Sequence, residues 1–194
     1  MTGWMGNSVP LAGRESIVLM DAPEVSIALE ARGTAVNLRP ITPADSAIEA
    51  DFVRKLSNES RYFRFHRPLR ELTPRMLDYF TQVQYPESFA LIATICIDGE
   101  TEQIAVARYA KYPGKNAAEL AIVVADEWHC CGIGTRMLTE LGDIARGAGI
   151  KELYMNVLPD NTRMLRLAKA LGFHPAITPD EGMMSYGLGK SAEP

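Results

Sequence analysis

The sequence predicts an α+β domain, a mixed and mostly antiparallel sheet flanked by helices, and three observations lead there. Apolar runs of strand length recur at Val36 to Ile41, Phe89 to Ile97, Gln103 to Tyr109, Glu119 to Ala125 and residues 152–158. Asp98-Gly99 separates the second and third runs, and this dipeptide is a strong hairpin signal, so they pair antiparallel. The run at 119–125 passes through Gly132-Ile-Gly134 into a helical spacing of Met137, Leu141, Ile144 and Ala148. It emerges past Gly149 at the run 152–158, a strand-helix-strand crossover that makes those two strands parallel.

Taken in order, residues 1–34 show no sustained period. Gly3, Gly6, Pro10 and Gly13 break the start, and Ser16 to Met20 and Val25 to Ala31 are short apolar islands. This stretch reads as an N-terminal extension, a flexible tail or loosely docked arm, ahead of a domain spanning 35–190. Val36 to Ile41 reads as an edge strand because Pro40 removes a donor. Thr42-Pro43 starts a helix with Ile48, Phe52, Val53 and Leu56 on its apolar face, and Thr73-Pro74 starts a second before Met76, Leu77 and Phe80. After the hairpin, Pro113-Gly114 turns the chain into the strand at 119. Asp160 or Asn161 caps a later helix whose Met164, Leu165, Ala168 and Leu171 oppose Arg163, Arg166 and Lys169, and Phe173 to Thr178 and Met183 to Leu188 form a last pair of strands.

Composition narrows the function. A chain of 194 residues with 47% hydrophobic content suits one domain with an ample core. A net charge of -4 and a pI near 5.5 argue against a general nucleic-acid binder. The apolar runs are shorter than the roughly 18 residues of a membrane span and the N-terminus lacks signal-peptide order, so a cytoplasmic protein with no membrane partner is expected. Cys96 and the adjacent Cys130 and Cys131 form no disulfide framework and have no metal-ligand spacing with the three histidines, so no metal is expected.

The segment from Glu119 to Gly134 carries the chemistry. Glycines let successive backbone N–H groups point at one anion, and the helix N-terminus behind them adds partial positive charge. Alone, the two glycines read more simply as a tight strand-to-helix turn, since neither the dinucleotide fingerprint nor the P-loop pattern is present. The stretch nevertheless resembles the acyl-CoA pyrophosphate loop of the GNAT superfamily, Q/R-x-x-G-x-G/A, with His129 at the Gln/Arg position and Gly132 and Gly134 at the small ones. Asn161-Thr-Arg-Met164 through Gly172-Phe173 resembles that superfamily's next landmark, an Asn-led helix ending in Gly-Phe. The resemblance implies a central splay between the two parallel strands, 119–125 and 152–158, into which the pantetheine arm of acetyl-CoA inserts. It places the cofactor on Ile122, Val123, Val124, His129, Cys130, Cys131, Gly132, Ile133, Gly134, Thr135, Asn161 and Met164.

Within the superfamily the chain is similar to the catalytic domain of bacterial Pat-type protein lysine acetyltransferases. Leu56-Ser57-Asn-Glu-Ser60-Arg61-Tyr62-Phe63-Arg64-Phe65, Leu69-Arg70-Glu71-Leu72-Thr73 and Ala118-Glu119 carry that similarity. It implies an acetyl-CoA-dependent N-acetyltransferase acting on protein lysine, with a small-molecule amine acceptor or a non-catalytic acyl-CoA binding module as alternatives. An amine attacks only after losing a proton, and the resemblance makes Glu119 the general base; a solvated strand-end carboxylate is the plainer account. The backbone of Val123 or Val124 is the expected oxyanion donor. Ala168 stands where many relatives carry a general-acid Tyr, and His129 and Cys131 replace residues that often hold a cation near the pyrophosphate. Asn161 reads equally as a helix cap, Trp128 as strand-end packing rather than an adenine stack, and the two cysteines as small turn residues rather than a redox switch. Arg61, Arg64, Arg67 and Arg70 recur every third residue and read either as a docking ridge for an acidic protein or as internal pairs with carboxylates and rings.

Overall fold

The computed structural model describes residues 22–176 and the backbone of 184–188. Its strands are β1 (Ile27–Ala31), β2 (Thr34–Pro40), β3 (Ser88–Ile97), β4 (Glu100–Lys111), β5 (Ala117–Val124), β6 (Glu152–Val157), β7 (His174–Ala176) and β8 (Met184–Leu188). They lie in one sheet in the order β1-β2-β3-β4-β5-β6-β8-β7, every neighbouring pair antiparallel except the parallel β5 and β6. The helices α1 (Ser46–Lys55), α2 (Asn58–Phe65) and α3 (Pro74–Thr81) fill the β2–β3 connection, α4 (Ile133–Gly147) joins β5 to β6, and α5 (Thr162–Ala170) joins β6 to β7. This is the mixed, mostly antiparallel sheet with flanking helices that the sequence predicts.

Side chains alternate between the faces of a strand, and the alternation divides the core in two. Leu91, Ala93, Ala105, Ala107, Tyr109, Ala118 and Leu120 pack under Met137, Leu138, Leu141 and Ala145 of α4 and Ala168 of α5. Ala90, Ile92, Val106 and Val123 turn the other way, against Phe52 and Val53 of α1 and Met76 and Phe80 of α3. Glu119, two pleats from Val123, and Arg108, one repeat from Val106, therefore share the α1–α3 face.

The expected splay is present at the centre of the sheet. β5 and β6 pair only through Ala117, Ala118 and Glu119, opposite Glu152, Leu153 and Tyr154. Beyond that point β5 continues along β4 to Val124, while β6 continues along β8 to Val157. The two strands part at Glu119.

Several boundaries differ from the sequence expectation. Part of the stretch read as an arm contributes β1, turned into β2 by Arg32 and Gly33 at φ +54° and +74°. β2 is thus internal rather than the edge; Pro40 lies past Leu38, the last β2 residue paired with β1, so its missing N–H falls outside that ladder. The helix expected from Thr42 begins as one 3-10 turn, Pro43–Asp45, before α1. Residues 1–21, Thr178 and Met183 lie outside the described residues.

The entry into α1 is fixed by charge. Both guanidinium nitrogens of Arg39 donate to Asp45 at 2.8 and 2.6 Å, and the backbone N–H and hydroxyl of Thr42 each donate to it at 2.8 Å. Burial pushes the Asp45 carboxyl up, but Arg39 and Thr42 outweigh it and hold the pKa below its ordinary value. A depressed carboxylate pKa contributes stability present above pH about 4 and lost as the pH falls further. Asp45→Ala should therefore lower stability by about 2–3 kcal/mol at pH 7 and by much less near pH 3, as measured by urea denaturation at the two pH values.

Candidate active site

Glu119 occupies the last β5–β6 pair, where the gap opens. Ala110 faces it on β4 and Arg108 faces Ala121, which makes Arg108 and Glu119 diagonal neighbours on one face of adjacent strands. Arg108 is only 3% exposed. Its Nη2 donates to the Phe80 carbonyl at 3.2 Å, its guanidinium lies 5.3 Å and 4.9 Å from the rings of Tyr79 and Phe80, and its Nη1 is buried without a hydrogen-bond partner. Arg64 reaches in from α2, 5.2 Å from the Phe65 ring and 5.8 Å from that of Phe80. Burial pulls both arginines below their usual values, and for Arg64 the carboxylates of Glu49 and Glu119 oppose that pull. Glu49 is itself buried, accepts a bond from Gln103, and is pushed up by burial. Glu119 thus sits in a cationic, aromatic corner.

Backbone alternation decides which amides face the gap. Tyr112 N–H donates to the Ala117 carbonyl and Ala125 N–H to that of Ile104, both on the β4 edge, and the register between them is unbroken. Odd-numbered β5 residues consequently spend their N–H groups on β4, whereas Leu120, Ile122 and Val124 direct theirs toward the side that β6 leaves. Val123, one of the two expected oxyanion donors, is turned to β4, and its side chain lies in the α1–α3 cluster.

The loop after β5 makes a 3-10 turn at Asp126–Trp128 and then bends sharply, with Cys130 at φ +61° and Gly132 at φ +87°, into the first turn of α4. The side chain of Ile133 is fully buried, so only its backbone faces the loop, while Cys130 and Thr135 are exposed. Cys131 Sγ donates to the Trp128 carbonyl at 2.8 Å, and Trp128 packs against the larger core. A Cβ on Gly134 would meet Leu167 Cδ2 at 3.4 Å, Ile122 Cδ1 at 3.7 Å and Val124 Cγ2 at 3.8 Å. The small residue there lets the start of α4 approach β5 and α5.

His129 folds back beneath this loop. Its Nε2 is 2.9 Å from the Val124 carbonyl and its Nδ1 is 2.6 Å from Nη1 of Arg163 on α5. A guanidinium only donates, so Nδ1 accepts and the proton is on Nε2, which donates to Val124. Burial, and then the Arg163 charge, lower the His129 pKa and keep the ring neutral. Arg32 donates to the His129 carbonyl at 3.2 Å. On α5 the Asn161 side chain accepts from Met164 N–H at 3.0 Å, which makes it the helix cap; Met164 is half-buried against the core. Ala168 is fully buried and offers no hydroxyl.

Sequence reasoning missed the link between this loop and α2. Asp126 accepts from Ser57 N–H at 3.0 Å and from the hydroxyls of Ser57 and Ser60 at 2.8 Å each. Burial raises the Asp126 carboxyl, but these bonds prevail and hold it low. The Ser-x-x-Ser spacing signals a helix start, yet nothing in the chain pairs it with an acid 66 residues away. Two of the four spaced arginines are likewise internal: Arg61 Nη1 donates to the carbonyls of Val53, Arg54 and Leu56 at 3.4, 2.9 and 2.6 Å, closing the end of α1, and Arg64 lies on rings. Arg67 and Arg70 are exposed. Among the described residues, no His, Cys, Asp and Glu group could hold a metal, and no helix is long and apolar enough to cross a membrane.

The packing at Gly134 yields a prediction. Gly134→Asp would drive a carboxylate among Ile122, Val124 and Leu167 and should cost roughly 3 kcal/mol or more, whereas Gly134→Ala should cost less than about 1 kcal/mol. Thermal denaturation of the two variants checks this; equal melting temperatures would mean that the side chain escapes into the loop.

Known proteins share this fold. The family model for Acetyltransferase (GNAT) matches residues 50–173. The chain is 32% identical over 149 residues to a Pseudomonas aeruginosa acetyltransferase, covering 77% of this chain and 80% of that protein. It is 32% identical over 137 residues to the acetyltransferase Pat of Mycolicibacterium smegmatis, covering 70% of this chain but 40% of that longer protein. Among solved structures, the GNAT domain of S. lividans Pat superimposes with a TM-score of 0.76 at 27% identity, covering 84% of this chain and 96% of that one. A cAMP-binding acyltransferase from Mycobacterium smegmatis superimposes with a TM-score of 0.57 at 26% identity, covering 86% of this chain and 48% of that one.

Proposed function

The chain belongs to the acetyltransferase (GNAT) family, and from that premise we propose that it transfers the acetyl group of acetyl-CoA to the side chain of a protein lysine in the cytoplasm, with Glu119 as general base. The observation that carries this reading is the place of Glu119, at the point where β5 and β6 part and at the opposite end of β5 from the glycine loop. From Val124 to Glu119 the strand covers about 16 Å. Amides of Ile122 and Val124 aimed into the gap support seating of the cofactor arm along β5.

In the proposed reaction the amine gives a proton to the Glu119 carboxylate, directly or through a water, and the freed lone pair attacks the thioester carbonyl. Negative charge gathers on the carbonyl oxygen. The Ile122 N–H, about 10 Å along the strand from Glu119, is better placed to receive it than Val124, and Val123 has its N–H on β4. The C–S bond then breaks as the nitrogen gives up its second proton to solvent, and with Ala168 in place of a Tyr the leaving thiolate takes a proton back from solvent, which leaves a neutral amide and a free thiol. The Arg64 guanidinium interacts electrostatically with the Glu119 carboxylate, which places a positive charge beside the proposed base.

The lysine acceptor rests on the similarity of residues 56–73 and 118–119 to Pat-type enzymes, and the surface of α2 and α3 supports it. Tyr62 and Tyr79 are 46% and 53% exposed there, and Arg67 and Arg70, in the connection between the two helices, are exposed as well. With Arg61 and Arg64 internal, only the latter half of the arginine series is free to meet an acidic protein.

Glu119→Gln should lower kcat on the order of a hundredfold while leaving acetyl-CoA affinity nearly intact, and the variant should lack the rise in rate with pH of the wild type. Full turnover with an unchanged pH profile would make Glu119 structural. Reversing Arg67 and Arg70 to Glu should raise KM for a protein acceptor several-fold, by about 1 kcal/mol, and spare a short lysine peptide. Robust turnover of free polyamines by the wild type would favour the small-amine reading.

A further inference from the structure

We propose that Arg163 supplies the cation that the phosphate loop itself lacks, and that His129 is the residue that positions it there. This rests on reading residues 130–135 as the seat of the phosphate end of acetyl-CoA. The loop has no cation of its own: His129 stands at the position where relatives carry Gln or Arg, and Cys131 is engaged with the Trp128 carbonyl. Arg136, in the first turn of α4, is drawn along the helix to Glu140 at 2.7 Å. Arg163 is different. It projects from the first turn of α5, is exposed, and holds its Nη1 2.6 Å from His129 Nδ1.

His129 is well built as a holder. Its Nε2–H is engaged with the Val124 carbonyl, which leaves Nδ1 as an acceptor aimed at α5, and a neutral ring adds no repulsion to the guanidinium it orients. Asp126, an acid acting on the same ring, accepts its hydrogen bonds from Ser57 and Ser60. A guanidinium carries five N–H donors in a planar fork suited to phosphate oxygens, and the contact with His129 uses one. The phosphate contact would therefore come from α5, with the loop contributing backbone amides and His129 bridging the two.

Titration calorimetry on the full chain tests this with three probes: acetyl-CoA, acetyl-dephospho-CoA, which lacks the 3′-phosphate, and acetyl-pantetheine, which has no phosphate. Arg163→Ala should weaken acetyl-CoA binding about tenfold or more and leave acetyl-pantetheine unchanged. A loss shared by acetyl-dephospho-CoA places the contact on the pyrophosphate, and a loss confined to acetyl-CoA places it on the 3′-phosphate. His129→Leu should reproduce part of the loss, and His129→Gln, whose amide can both accept from Arg163 and donate to Val124, should restore most of it. Arg166→Ala, which removes a cation from the same helix without a contact to His129, should stay within about twofold of wild type. Equal loss on acetyl-pantetheine, no loss in Arg163→Ala, or an equal loss in Arg166→Ala would overturn the proposal. A wild type that holds acetyl-CoA no tighter than acetyl-pantetheine would instead overturn the reading of the loop as a phosphate seat.

Discussion

The arrangement depends on the early parting of β5 from β6. A strand at the centre of a sheet satisfies its backbone on both edges, and β5 does so only as far as Glu119. Past that residue one edge remains committed to β4, while β6 is held away by its ladder with β8 through Val157. At the far end of β5 the start of α4 and Leu167 of α5 close on it, where Gly134, Ile122, Val124 and Leu167 meet. Every part of the proposed site is located relative to this gap: amides along its side, a sharp glycine loop at one end, a carboxylate at the other.

The two sides of the gap are tied together by polar groups that do no chemistry themselves. Asp126 follows the end of β5 and accepts hydrogen bonds from Ser57 and Ser60 at the start of α2, so the glycine loop and α2 share one anchor. Arg61 closes the end of α1, and Arg108 stays buried between Tyr79, Phe80 and the sheet. A series of arginines with the look of a binding surface thus divides, half becoming scaffold and half remaining outside.

Much of this was legible in the chain. The hairpin at Asp98-Gly99, the crossover from β5 to β6 and the caps at Thr73 and Asn161 rest on local rules in which a residue acts on neighbours a few positions away. β1 was missed because an edge strand of five residues, with only Ala31 buried and Ala28 among its exposed positions, carries little periodic signal. The direction of the Gly134 side-chain position, the pairing of Asp126 with α2 and the meeting of Arg163 with His129 were hidden for another reason. The contact of Gly134 with Leu167 and the last two pairings join segments more than 30 residues apart, and only the tertiary fold brings them within reach. Alternation along β5 was available from the sequence, but the choice among its amides required knowing which edge β4 occupies.

The central claim is that the gap beside β5 and the loop above it form one acetyl-CoA seat. Backbone hydrogen exchange of the full chain, with and without acetyl-CoA, tests it most directly. The account predicts that amides of Leu120, Ile122 and Val124 and of residues 131–135 gain protection together, while the odd-numbered β5 amides, already bonded to β4, change little. Protection appearing elsewhere in the chain, with those gap and loop amides unaltered, would contradict it.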